Sequence, residues 1–147
     1  PERETLAERI ARSVDCVPFY IHHLVDRLAR REPRPGVEAV EEVIDECLAD
    51  PLDPWHMGHY RSRLGSYYGA REGLALLLLD HLALTPRGDT LDNLHNLAQV
   101  AGPRVSLEEV RAMLADLERD HYLERREGRW HFLFSLVRCW WCRSRGL

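Results

Sequence analysis

The chain has 147 residues, of which 45% are hydrophobic and 30% charged. That balance fills the core of one ordinary domain or of two small ones and still wets a surface, so it excludes a globally disordered chain. The formal net charge of −4 argues against a general nucleic-acid coat protein, although residues 121–147 reverse the sign with six arginines against two glutamates.

All 20 basic residues are arginine, which offers planar, bidentate contacts that lysine does not. The longest apolar run, Leu74–Leu79, is too short to span a bilayer. With no secretory leader before them, Cys16, Cys47, Cys139 and Cys142 imply a reducing, cytoplasmic setting and no membrane partner. Pro1 falls in the middle of a charged helical pattern, so the expectation is a segment of a longer protein.

In chain order, Thr5 to Arg30 reads as helical with a break at Val17-Pro18, because proline lacks a donor and restrains the residue before it. Leu6, Ile10 and Val14 form the stripe before the break; Phe19, Tyr20, Leu24, Val25 and Leu28 form the one after it. Glu32 to Gly36, with Pro33 and Pro35, is a linker. Val37 to Leu48 is a short helix with Val40, Val43, Ile44 and Cys47 inward. Asp53 with Pro54 is a start signal for the next helix, through Met57, Tyr60, Leu64 and Tyr67 to near Gly69.

Gly73 to Leu84 is so densely apolar that it predicts a buried central helix, in which Asp80 and His81 are expected to be a satisfied polar pair. Pro86-Arg-Gly is a turn, and Thr90 caps Leu91 to Gln99. Gly102-Pro103 is a break, and Ser106 with Glu109 forms a capping box for Leu107 to Asp120, whose core stripe is Leu107, Val110, Leu114 and Leu117. The period then shortens: Tyr122 to Arg126 and Arg129 to Phe134 flank Glu127-Gly128 as a hairpin. Ser135 is the expected cap of a last helix with Leu136, Val137, Trp140 and Trp141.

Three helices followed by a two-stranded hairpin, from about residue 73 to residue 134, is the winged-helix order. The fold class expected is therefore mainly α: a helical region over 1–69, then a winged-helix domain over 70–147 with a short β-hairpin wing and a C-terminal helix. A plain helical bundle with a hairpin attached is the alternative.

Four local patterns, taken in order, carry a family resemblance. They are Cys16-Val-Pro-Phe-Tyr-Ile, His59-Tyr-Arg-Ser-Arg-Leu-Gly-Ser-Tyr-Tyr, Tyr122-Leu-Glu-Arg-Arg-Glu-Gly-Arg-Trp-His-Phe and Leu136-Val-Arg-Cys-Trp-Trp. The chain resembles the C-terminal part of prokaryotic AAA+-like or STAND-type P-loop ATPases, in which a helical lid and a winged helix follow the nucleotide-binding domain. The resemblance makes residues 1–69 lid-like. It implies that Pro18, in a segment like the family's glycine-x-proline lid motif, approaches the adenine of ATP or ADP in the parent protein; Cys16 stands at the glycine position. It also implies that the P-loop, the acidic magnesium site and the arginine finger lie upstream of Pro1.

Within the chain itself no pattern completes a catalytic site, and the expectation is a non-enzyme. The eight histidines are scattered and form no H-E-x-x-H. Glu38, Glu41, Glu42, Asp45 and Glu46 read as a solvated helical face. Cys139-Trp-Trp-Cys142 offers two thiols where a closed zinc site wants four ligands; the main reading is no metal, with this pair as the alternative.

Leu107 to Asp120, the helix that would enter a DNA groove, carries five acids against Arg111 and Arg119, which repels phosphate. Arg125, Arg126, Arg129 and Arg138, together with Trp141, are the expected interaction residues. The function expected is a regulatory segment that contacts other domains of the same chain or partner proteins in a nucleotide-coupled way. The alternatives are a DNA-binding winged helix led by its basic wing, and an oligomerising bundle.

Overall fold

The computed structural model describes residues 5–32, 35–102 and 104–147. Pro1, Pro33 of the linker and Pro103 of the expected break lie outside them. The fold is mainly helical, with a small three-stranded antiparallel sheet towards the C-terminus. Contacts divide the chain into two units, Pro1–Met57 and Gly58–Leu147; the sequence reading drew its line at Gly69.

The first unit contains α1 (Leu6–Ser13), α2 (Pro18–Ala29) and α3 (Glu38–Ala49). α1 starts at a capping box in which the Thr5 hydroxyl accepts from the Glu8 N–H and the Glu8 carboxylate accepts from the Thr5 N–H. The interruption before Pro18 is built from Asp15 and Cys16, both left-handed at φ +53° and +56°. Pro18 occupies the first turn of α2, where its missing N–H costs nothing.

Tyr20, Leu24 and Leu28 of α2 face Val40, Val43, Ile44 and Cys47 of α3 in the buried set. Phe19 and Val25, expected in the α2 stripe, stand outside at 53% and 47% exposure; they lie off the Tyr20–Leu24–Leu28 line. The segment after α3 departs from expectation. Asp53 and His56 are left-handed, which breaks a helix there, so Pro54 begins a turn. The Asp53 carboxylate closes that turn by accepting from the Met57 N–H at 2.8 Å.

The second unit runs α4 (Gly58–Tyr68), a short 3-10 turn, α5 (Glu72–Leu84), β1 (Asp89–Thr90), α6 (Leu91–Ala101), α7 (Leu107–Arg119), β2 (Leu123–Arg126), β3 (Arg129–Phe132) and α8 (Ser135–Arg145). α4 buries Tyr60, Leu64 and Tyr68, and Tyr67, expected inward, is outside. α5 is the central element, packed by α4, α6, α7, α8 and β3. Thr90 and Ser106 cap α6 and α7 as their sequences predict, the latter with a full box to Glu109. Ser135 does not cap α8: the N-cap is Phe134, without a side-chain bond, and Ser135 is the first helical residue.

The hairpin forms where it is expected, with Leu123 opposite Phe132 and Arg126 opposite Arg129. Glu127 and Gly128 are both left-handed, as a two-residue turn with the right twist requires. The sequence reading lacked β1, which pairs Asp89 with Trp130 and Thr90 with Arg129 and makes the sheet order β1-β3-β2.

Gly88 lets β1 approach β3. Its φ is +68°, and an added Cβ would stand 2.5 Å from the Trp130 carbonyl oxygen and from the His131 ring. Gly88→Ala is therefore expected to destabilise the protein by at least about 1–3 kcal/mol, the cost of a left-handed non-glycine residue before any clash. Gly128→Ala has nothing within 4 Å of its added Cβ and should cost less. Urea denaturation of the two variants checks both the size and the order.

Candidate functional site

α7 is the helix that would enter a DNA groove, and the hairpin and α8 carry the residues expected to interact, Arg125, Arg126, Arg129, Arg138 and Trp141. The inner face of α7 carries Val110, Met113, Leu114 and Leu117, all buried. Its outer face carries Glu108, Glu109, Arg111, Ala112, Ala115, Glu118 and Arg119. Most of these charges are committed locally. Glu109 closes the capping box, and the two hydrogen bonds from Ser106 hold its carboxyl below the usual range. Arg111 pairs with Glu108, and Arg119 pairs with Asp116 at 2.9 Å. Asp116 also binds Arg71 at 3.0 Å. Two small residues, Ala112 and Ala115, lie in the middle of the face, flanked by three glutamates and two arginines.

The arginines named from sequence stand nearby but not as one open cationic surface. Arg126 lies on the outward side of the hairpin and pairs with Glu124. Arg129, opposite it, donates to the Gly88 carbonyl at 3.0 Å and sits 3.9 Å from the Asp89 carboxylate. Arg125 is exposed, with its guanidinium 6.0 Å from the Trp130 ring centre. Arg138 is turned into the fold and donates to the Ala83 carbonyl at 2.9 Å, at the C-terminal end of α5.

Trp141 is fully buried and offers no surface to a partner; of the Trp140-Trp141 pair, only Trp140 retains some exposure. The reason is polar as well as apolar. The Trp141 indole N–H donates to Asp80 at 2.8 Å, and Arg145 grips the same carboxylate at 2.7 and 3.0 Å. Burial works to raise the Asp80 carboxyl, but the Arg145 and Trp141 hydrogen bonds and the Arg145 charge outweigh it and hold it low. Asp80 and His81 are thus both satisfied, each by a separate element. His81 Nε2 lies 2.8 Å from Asp89. Asp89 also accepts from the Thr90 N–H and from Asn93, and these bonds, against burial, hold its carboxyl low.

A cluster that sequence reasoning missed joins α4 to the end of α7. Arg63 Nε donates to the Tyr122 hydroxyl at 2.7 Å and Nη2 to the Asp120 carbonyl at 3.0 Å. The guanidinium lies over the Tyr60, Tyr67 and Tyr122 rings at 4.8, 5.7 and 4.5 Å. The Tyr68 hydroxyl donates to Asp120 at 2.7 Å; burial, reinforced by that carboxylate, pushes the phenol well above its ordinary range. The only advance signal was the aromatic spacing of His59 to Tyr68.

In the first unit, Pro18 is exposed at the start of α2, beside exposed Cys16. Trp55 is buried, and its indole N–H donates to His23 Nδ1 at 2.7 Å. Burial, then the Arg27 charge, lowers the His23 pKa. Among the described residues no three histidine, cysteine or acidic side chains are grouped so as to hold a metal ion. Comparison with protein-family models, with curated proteins and with solved structures finds no match.

The Asp80 carboxylate yields a pH prediction. Because its folded pKa is depressed, its contribution is present above the unfolded pKa of about 3.9 and is lost as pH falls through the lower folded value. Asp80→Asn is expected to cost on the order of 1 kcal/mol at pH 7. The gap from wild type should narrow as pH falls below about 3.9. Denaturation of both proteins across pH 7 to 2.5 tests this, and a gap unchanged by pH would contradict it.

Proposed function

We propose that the chain is a non-catalytic regulatory segment whose second unit is a winged-helix domain used for protein contact rather than for reading DNA. The helix–strand–helix–helix–strand–strand order of α5 to β3, with sheet order β1-β3-β2, supports the winged-helix reading. In that reading α7 is the recognition helix.

The observation that carries the functional half is the charge on α7 together with the bonds that Arg129 and Arg138 make to backbone carbonyls of the fold. A helix entering a DNA groove needs donors for base edges and phosphates. The exposed face of α7 carries Glu108, Glu109 and Glu118 around two alanines, against Arg111 and Arg119, which are paired with Glu108 and Asp116. Arg126, Arg129 and Arg138 are already bonded within the fold. A protein surface with basic groups is the better complement, from another domain of the same chain or from a separate partner.

The resemblance to AAA+-like and STAND-type ATPases supplies the setting. In it, residues 1–69 are a lid-like region and the parent protein binds ATP or ADP, with Pro18 near the adenine. The protein contact then follows the nucleotide state of the parent. Such coupling requires two states with different contacts.

Fluorescence anisotropy of a labelled random duplex, titrated with the chain over a range of salt concentrations, separates protein contact from DNA contact. No saturable binding is expected even at low salt. Saturable binding that weakens steeply with salt and disappears in the Arg125→Ala, Arg126→Ala double variant would overturn the reading and install a wing-led DNA contact.

A further inference from the structure

The thiols of α8 have no part in the proposed protein contact. Cys139 is exposed and Cys142 is partly buried, and they stand one helical turn apart on α8. Their sulfurs are linked through two groups, the Ala83 carbonyl and the Arg138 guanidinium. Cys142 Sγ donates to the Ala83 carbonyl at 3.4 Å. Arg138 Nη1 donates to that same oxygen, and Arg138 Nη2 lies 3.9 Å from Cys139 Sγ. Cys139 therefore borders the Arg138 guanidinium, and Cys142 meets the same carbonyl as that guanidinium, at the last turn of α5.

Geometry decides what such a pair can do. Residues three apart on a helix have Cβ atoms about 5–6 Å apart, whereas a disulfide needs about 3.5–4.5 Å. A disulfide would have to draw the two Cβ atoms together by about 1–2 Å, whereas two sulfurs at that spacing can hold an atom between them. Zinc in a structural site wants four ligands, and among the described residues no third histidine, cysteine or carboxylate joins this pair. Calcium and magnesium want oxygen. A soft monovalent cation takes thiolates and is content with two. Two thiolates and one such cation carry net charge −1, which the adjacent Arg138 offsets.

We propose that Cys139 and Cys142 chelate one soft thiophilic cation of the Cu(I) class as a two-coordinate bis-thiolate. Two S–H bonds break, two S–Cu bonds form, two protons leave to solvent and no electron is transferred. The Cys142 sulfur gives up its bond to Ala83, and the Arg138 guanidinium remains as the counter-charge.

The test is anaerobic titration of the reduced full chain with Cu(I), in competition with a chromogenic Cu(I) chelator. One Cu(I) is expected to be retained per chain. Cys139→Ser and Cys142→Ser should each weaken retention by about 100-fold or more, the gain a tethered second ligand gives. Serine keeps a donor for the Ala83 carbonyl, so the second variant retains the local fold. Cys16→Ser, which removes the other exposed thiol, should change nothing. Because two protons are released, the affinity should also fall about 100-fold for each unit of pH below the thiol range. Loss of Cu(I) from wild type to the chelator would overturn the proposal. So would retention undiminished by serine at 139 or 142, loss on Cys16→Ser, or an affinity indifferent to pH.

Discussion

The second unit depends on the burial of α5. Ala75, Leu78, Leu79, Leu82 and Ala83 are all excluded from solvent, and each buried leucine is worth about 1.5–3 kcal/mol relative to leaving it exposed. A helix this apolar is stable only when neighbours cover it on several sides. α4, α6, α7, α8 and β3 do so. Hydrophobic burial is non-directional, so it does not by itself fix where those neighbours lie. Two adjacent polar residues supply direction. Asp80 takes the Trp141 indole and the Arg145 guanidinium from α8, and His81 takes Asp89 from β1. One turn of α5 thereby positions the last helix and the first strand.

The same constraint shapes the surface on which the proposed function rests. The buried stripe of α7 fixes which side of that helix faces outward, and that side carries three glutamates against two arginines around two alanines. Three of the six arginines of the basic C-terminal stretch, conspicuous in the sequence, hold the fold. Arg145 secures α8 to α5, Arg138 closes the C-terminal end of α5, and Arg129 fastens the turn before β1. An arginine count therefore overstates what is free to meet phosphate. The proposed preference for a protein partner follows from this internal use of charge as much as from the sign of α7.

Elements that depend on neighbouring residues were legible in the sequence. The capping signals at Thr90 and Ser106, the apolar density of α5 and the left-handed Glu127-Gly128 turn are local, and each appears in its expected place. What depends on distant partners was not. β1 is two residues long, too short for any period, and exists because β3 lies beside it and Gly88 permits the approach. Asp53 and Pro54 look like a helix start, yet the positive φ of Asp53 and His56 turns the chain first. Tyr67 and Tyr68 are equivalent in composition; the Tyr68 hydroxyl is drawn inward by Asp120, far along the chain. The Asp80-His81 pair was expected to be satisfied, and the two partners come from elements that periodicity cannot bring together. For the candidate surface, the sequence names the charged residues, but only the fold tells which are already engaged. That distinction moved Trp141 to the interior and bound the half-buried Arg138 to the end of α5.

Native-state hydrogen exchange of the full chain tests most directly whether α5 is the post on which the second unit is built. The amides of Leu78, Leu79 and Leu82 are expected to exchange only through global unfolding. Asp80→Asn should accelerate exchange in α8 selectively while leaving those amides the slowest in the unit. Exchange of the α5 amides as fast as those of exposed helical turns, or an α8 indifferent to Asp80→Asn, would contradict the account.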